Sequence, residues 1–169
     1  ARAGGAGGVC RRPGQKGQRP PHGRRRRMTG KQRTRGEIEL DTASPIIVVL
    51  VGDHPTSLWG LERLIETATP PMTVVGQATS REQLLAQLGA AEPDVVLLDL
   101  DLNGKSSLDA LPEIGQLSKA RVLILTGNSD PLIHQQAIMP GALGVVQKQE
   151  DADIVLPAID KIHKGEIWR

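Results

Sequence analysis

The stretch PDVVLLDLDLNG at 93–104 decides the fold. A Pro-Asp pair precedes an unbroken aliphatic run, and the run stops on a carboxylate, Asp99. Branched aliphatic residues without polar alternation mark a strand covered on both faces, as in a parallel sheet lying between helices. Ligands of open α/β sheets bind beyond the carboxyl ends of the strands, so the sequence puts Asp99 where chemistry is expected.

Working outward, apolar runs recur at 46–51, 73–77, 95–100, 122–126 and 143–146, and four of the five lack alternation. The segments between them have helical periodicity. Leu58, Leu61, Leu64 and Ile65 share one face, as do Leu84, Leu85 and Leu88, then Leu108, Leu111 and Ile114, and finally Val155, Ile159 and Ile162. Start signals agree: Pro55 suits a first helical position, Ser80 with Gln83 makes a capping box, and Asp130-Pro131 is a cap followed by proline. Five βα units with right-handed crossovers predict a doubly wound, three-layer α/β/α sandwich around a five-stranded parallel sheet of flavodoxin-like order 2-1-3-4-5.

Polar residues collect at the strand ends of this scheme. Asp53 follows the first strand, Asp99 ends the third, Thr126 ends the fourth and Lys148 follows the fifth. In the order 2-1-3-4-5 the first and third strands are neighbours, which sets the two carboxylates side by side. Two carboxylates with a backbone carbonyl, that of Asp101, make an oxygen site suited to Mg²⁺. A metal there neutralises an incoming phosphoryl group, so that Asp99 can attack phosphorus as the nucleophile. Lys148 supplies a compact positive charge and Thr126 a hydroxyl for the phosphoryl oxygens. His54 is read as a residue that starts a helix, not as a metal ligand, because no second histidine lies at ligand spacing.

These motifs resemble the receiver domain of two-component response regulators, in particular the LuxR-type subfamily. GDHP at 52–55, PDVVLLDLDLNG at 93–104, VLILTG at 122–127 and GALGVVQK at 141–148 carry the resemblance. It covers nearly everything after residue 44, and HKGEIWR at 163–169 is similar to the stretch that leads into a linker and a DNA-binding output domain, absent here. The resemblance implies a sensor histidine kinase or phosphotransfer protein as phosphodonor, Mg²⁺ as cofactor, and a homodimer in the phosphorylated state. It implies a signalling domain whose catalysis extends to its own aspartyl phosphorylation and dephosphorylation.

Departures from the family pattern leave a second reading open. Gly52 stands where the family has a first acid, and Val145 where it tends to carry an aromatic residue that moves with the switch threonine. Asn103 replaces a common proline and Ser107 a common glycine. Gly52 and Val145 fit a pseudo-receiver, which signals by protein contact without phosphorylation through its fourth and fifth helices, with Ile133, Val155 and Ile159 as candidate contacts. A haloacid-dehalogenase-like phosphatase also opens on a DxD motif, but on its first strand; here Asp99 lies on the third.

Charge divides the chain. Of 21 Lys and Arg, 12 fall in residues 1–45 with only three acids, leaving a body with 9 bases and 16 acids. The segment 1–44 is rich in Gly and Arg, lacks apolar anchors and is predicted to be a disordered tail ahead of a receiver at 45–169. Its Arg24 to Arg27 run could hold nucleic acid weakly through phosphates. The plainer reading is a stretch ahead of Met28 without function. The acidic body should not bind DNA. With no Phe or Tyr, it also offers no stacking platform. A single cysteine, Cys10, excludes an internal disulfide framework and a Cys-based zinc site. No apolar run approaches the roughly 20 residues that span a bilayer, and a cytoplasmic location is expected.

Overall fold

The computed structural model describes residues 44–169. The basic segment ahead of them, with Cys10 and Arg24 to Arg27, lies outside the described residues.

Five parallel strands form the central sheet: β1 (Ile46–Val51), β2 (Met72–Ala78), β3 (Val95–Asp99), β6 (Arg121–Thr126) and β7 (Gly144–Gln147). Their order is β2-β1-β3-β6-β7. This is the expected 2-1-3-4-5 arrangement once two short strands, β4 (Asp101–Leu102) and β5 (Lys105–Ser106), are set apart as a separate antiparallel hairpin. The crossovers are α1 (Pro55–Glu66), α2 (Arg81–Ala91), α3 (Leu111–Leu117) and α4 (Pro131–Ile138), with α5 (Ala152–His163) closing the fold.

Side chains alternate across a strand, so each strand feeds two cores. Val49, Val51, Val96, Leu98, Val122 and Ile124 join residues of α2, α3 and α4 on one face. Val48, Leu50, Val95, Leu97, Leu123 and Leu125 join α1 and α5 on the other. Three layers result, and β3, with every residue buried, lies between them. The edge strand β2 alone keeps clear alternation. An extra residue bulges there, since Val48 pairs with Val74 and Val49 with Gly76. Gly76 also leaves room for Gln87 of α2, whose side-chain amide donates to the Gln77 carbonyl at 2.6 Å.

The start signals act largely as read. Pro55 opens α1 after His54 as N-cap. Ser80 accepts from the Gln83 N–H, but Gln83 reaches back to the N–H of Thr79 and not to that of Ser80. Asp130 caps α4 by accepting from Leu132 N–H at 2.9 Å.

Two expectations need correction. Val155 and Ile159 were expected on an outward docking face, but they are 5% and 0% exposed and pack in the α1/α5 core. The apolar stripe of α5 is the stripe that seals the sheet, and the exposed apolar residues of this region are instead Leu132 and Met139 on and just after α4. Ile133 is half-buried. The third helix was expected to include Leu108, but a 3₁₀ turn over Ser107–Ala110 intervenes and α3 begins at Leu111. The last residues turn at Gly165 (φ +85°), and Trp168 N–H donates to the Leu143 carbonyl at the start of β7. Among the described residues no helix is long and apolar enough to cross a membrane.

Candidate functional site

Register aligns the strand ends. Val51 pairs with Leu98, Asp99 with Leu125, and Thr126 with Gln147, so Asp53, Asp99, Thr126 and Lys148 all emerge at one end of the sheet. Asp99 is only 4% exposed. Its Oδ1 accepts from Asp101 N–H at 3.2 Å, its Oδ2 pairs with Lys148 Nζ, and its backbone carbonyl accepts from the buried Ser107 hydroxyl at 2.6 Å. A buried carboxylate needs such partners, because removing an unpaired charge from water costs several kcal/mol. Lys148 is itself fixed by its backbone N–H, which donates to the Thr126 carbonyl at 2.8 Å.

Asp53 faces the β4–β5 turn. Asn103 and Gly104 both have positive φ, 56° and 74°, the Asn-Gly signature of a two-residue hairpin. The turn holds Asn103 N–H 3.1 Å from Asp53 Oδ2, while the Asn103 side chain donates to the Thr79 carbonyl at 2.9 Å. Asp53 Oδ1 is buried and makes no hydrogen bond, although His54 Nδ1 lies 2.6 Å away. Desolvation pushes the Asp53 pKa up. The Asn103 N–H and the charge of His54 outweigh it and hold the carboxyl below the usual aspartate value of 3.8.

One ligand atom from each of Asp53, His54 and Asp99 lies within 4.8 Å of the other two. Two carboxylates, one with an orphaned buried oxygen, are a donor set that fits a hard dication. The Asp101 N–H bonds to Asp99, which fixes the backbone where the carbonyl ligand of Asp101 was expected. His54, expected to start a helix, is the N-cap of α1 and lies beside the two carboxylates. A cavity of about 270 Å³ opens beside the site, with Gly52, Asp99 and Lys148 at one wall and Leu58, Leu61 and Leu64 of α1 at another.

Thr126 is 1% exposed, and its hydroxyl is committed locally, accepting from Asn128 N–H at 3.0 Å. The Asn128 side chain in turn accepts from Asp130 N–H at 3.0 Å, and Asp130 caps α4. Three short polar side chains thus link the end of β6 to the first turn of α4.

A parallel sheet in this order, with a buried aspartate, a second acid and a lysine at its carboxyl edge, defines the receiver class of signalling domain. The chain belongs to the response regulator receiver domain family, whose model matches residues 48–160. It is 29% identical over 129 residues to the nitrate/nitrite response regulator protein NarL of Escherichia coli, covering 76% of this chain and 59% of that protein. It is 31% identical over 122 residues to the transcriptional regulatory protein LiaR of Bacillus subtilis, covering 72% of this chain and 57% of that protein. The chain thus spans under two thirds of the length of these relatives. Among solved structures it is similar to a LuxR-family two-component response regulator from Aurantimonas, with 33% identity, TM-score 0.69, and coverage of 73% of this chain and 89% of that one. It is also similar to the signal receiver domain of a response regulator NarL from Mycobacterium tuberculosis, with 28% identity, TM-score 0.67, and coverage of 72% and 98%. The family is a signalling family, and phosphorylation on aspartate is its general function.

Proposed function

We propose that this receiver accepts a phosphoryl group on Asp99 from a sensor histidine kinase or phosphotransfer protein and passes the change to a partner or output surface. The observation that carries the reading is the buried Asp99 carboxylate, held between Lys148 and the Asp101 N–H with Asp53 in reach. An Asp99 oxygen attacks phosphorus as the bond from phosphorus to the donor breaks, and the donor leaves with that electron pair. Asp53, Asp99 and the Asp101 carbonyl would hold Mg²⁺, which would supply charge neutralisation for the transferring group. Lys148 exchanges its carboxylate partner for a phosphoryl oxygen. The Thr126 hydroxyl turns to another phosphoryl oxygen and leaves Asn128, which loosens the polar chain that starts α4.

Reversal by hydrolysis at the same aspartate is the only turnover this reading assigns. A cytoplasmic location and a homodimer of the phosphorylated form are consistent with the family. Control of transcription is a further role that this reading allows through an output domain, LiaR being named a transcriptional regulatory protein.

The test is intact mass after incubation with a small phosphodonor and Mg²⁺. One added phosphoryl group, lost in Asp99→Asn and lost when the metal is chelated, is the expected result. No addition would favour a pseudo-receiver. Gly52 supports that second reading, because it leaves no carboxylate at a position whose Cβ would stand 3.6 Å from Asp99 Oδ2.

A further inference from the structure

We propose that His54 takes the place of the carboxylate missing at Gly52, so that this site binds a transition-metal dication such as Mn²⁺ or Co²⁺ through one nitrogen and two carboxylate donors, in preference to Mg²⁺. The inference rests on the metal site assigned above and concerns which ion it selects.

Three independent features of the chain converge on it. Gly52 itself offers no side-chain donor, although a Cβ there would stand 3.6 Å from Asp99 Oδ2 and 3.3 Å from a Leu58 methyl carbon. With one acid fewer, the site has less negative charge for a small, strongly hydrated ion such as Mg²⁺. Second, the His54 ring is turned to Asp53 and not to the helix it starts. It sits at the N-cap of α1 in extended geometry and makes no side-chain capping bond, and Pro55 at the next position lacks the N–H of an ordinary first turn. Third, the ring nitrogen closest to Asp53 is 2.6 Å from an Asp53 oxygen that is buried without a hydrogen-bond partner. An ion bound between these groups and Asp99 would give that oxygen the partner it lacks, and imidazole suits Mn²⁺ and Co²⁺ better than Mg²⁺.

Pulsed EPR of the full chain loaded with Mn²⁺ reads the nitrogen directly, and titration calorimetry with Co²⁺ and Mg²⁺ reads the selectivity. The expected spectrum has ¹⁴N coupling that disappears in His54→Ala. Loss of that donor should weaken Co²⁺ binding by about tenfold or more, the scale on which losing even a supporting contact acts on metal affinity. Mg²⁺ binding should move less than about twofold, since oxygen ligands carry it. His54→Asn repeats the comparison with a residue that caps helices well, so a folding defect in the alanine variant cannot imitate the result. Absence of ¹⁴N coupling, or equal affinities in wild type and both variants, would overturn the proposal. Asp53→Asn separates the two levels. If it weakens all three ions while the His54 variants match wild type, only the nitrogen donor is wrong. If it changes no ion's affinity, the metal site itself is wrong.

Discussion

The two halves of the site are built differently. Around Asp99 and Asp53 two contacts cross between distant elements: Lys148 comes from beyond β7 to Asp99, and Asn103 of a separate hairpin meets Asp53, while Asp101 and Ser107 add local bonds from the loop after β3. The Thr126 hydroxyl is held instead by contacts that run two residues at a time along the chain, from Thr126 to Asn128 to Asp130. Long-range contacts between rigid strand ends preorganise a reaction site, whereas a ladder of local turns can be undone one rung at a time without disturbing the sheet. On this view the carboxylate half does the chemistry and the threonine half reports it. On the same view, the polar side chains in this loop stand in for the aromatic residue expected where Val145 lies.

The largest effect should come from breaking the first half at Asp53. Gly52 leaves Asp53 as the one acid directly after the first strand. Asp53→Asn should slow phosphoryl uptake by roughly 100-fold, because a metal's stabilisation of transferring charge is worth several kcal/mol. Rates from intact-mass time courses at fixed Mg²⁺ check this. Uptake within twofold of wild type would mean that the two halves are not divided as described.

A smaller effect in uptake, but a qualitative one in response, is expected in the second half. Thr126→Val keeps the β-branched shape and removes the hydroxyl. Uptake should fall by about two- to tenfold, the scale of one neutral hydrogen bond. The change in hydrogen exchange across α4 that accompanies phosphorylation of the wild type should vanish. Asn128→Ala should cut the same ladder one rung further on, leaving uptake unchanged and α4 exchange raised even without phosphate. If exchange in α4 ignores both substitutions, the ladder is not the link.

The same contrast explains what could be read from the sequence. The five strands were legible as short apolar runs, and Asp99, Thr126 and Lys148 were legible because they end or directly follow three of them. The caps at Ser80 and Asp130 were legible because they act within a few residues. The hairpin was missed although Asn103-Gly104 is its usual signature, since a two-residue strand has too few residues for periodicity to register. Ser107 looked only like a replacement for a common glycine and is in fact a buried hydroxyl bonded to the backbone of Asp99. Val155 and Ile159 were misassigned for a related reason: an amphipathic stripe shows that α5 has an apolar face, and only tertiary packing says that this face meets the sheet.

The smallest expected effect concerns acid stability. The Asp53 carboxyl is held below its ordinary value by the Asn103 N–H and by His54, against the desolvation that would raise it. A carboxylate depressed in the folded state contributes stability that is present above its unfolded value, near 3.8, and is lost as pH falls through the lower folded value. The wild type should therefore lose stability as pH falls below about 4, and Asp53→Asn should have a flatter acid limb with the two curves converging at the lowest pH. Urea midpoints from pH 6 down to pH 2.5 measure this. Asn103→Gly sharpens the assignment, because it keeps the backbone N–H and the positive φ while deleting the side-chain bond to Thr79. If the hairpin holds its place without that bond, the acid limb of Asn103→Gly should follow wild type. If the limb flattens as in Asp53→Asn, then the Asn103 side chain positions the N–H that keeps Asp53 ionised.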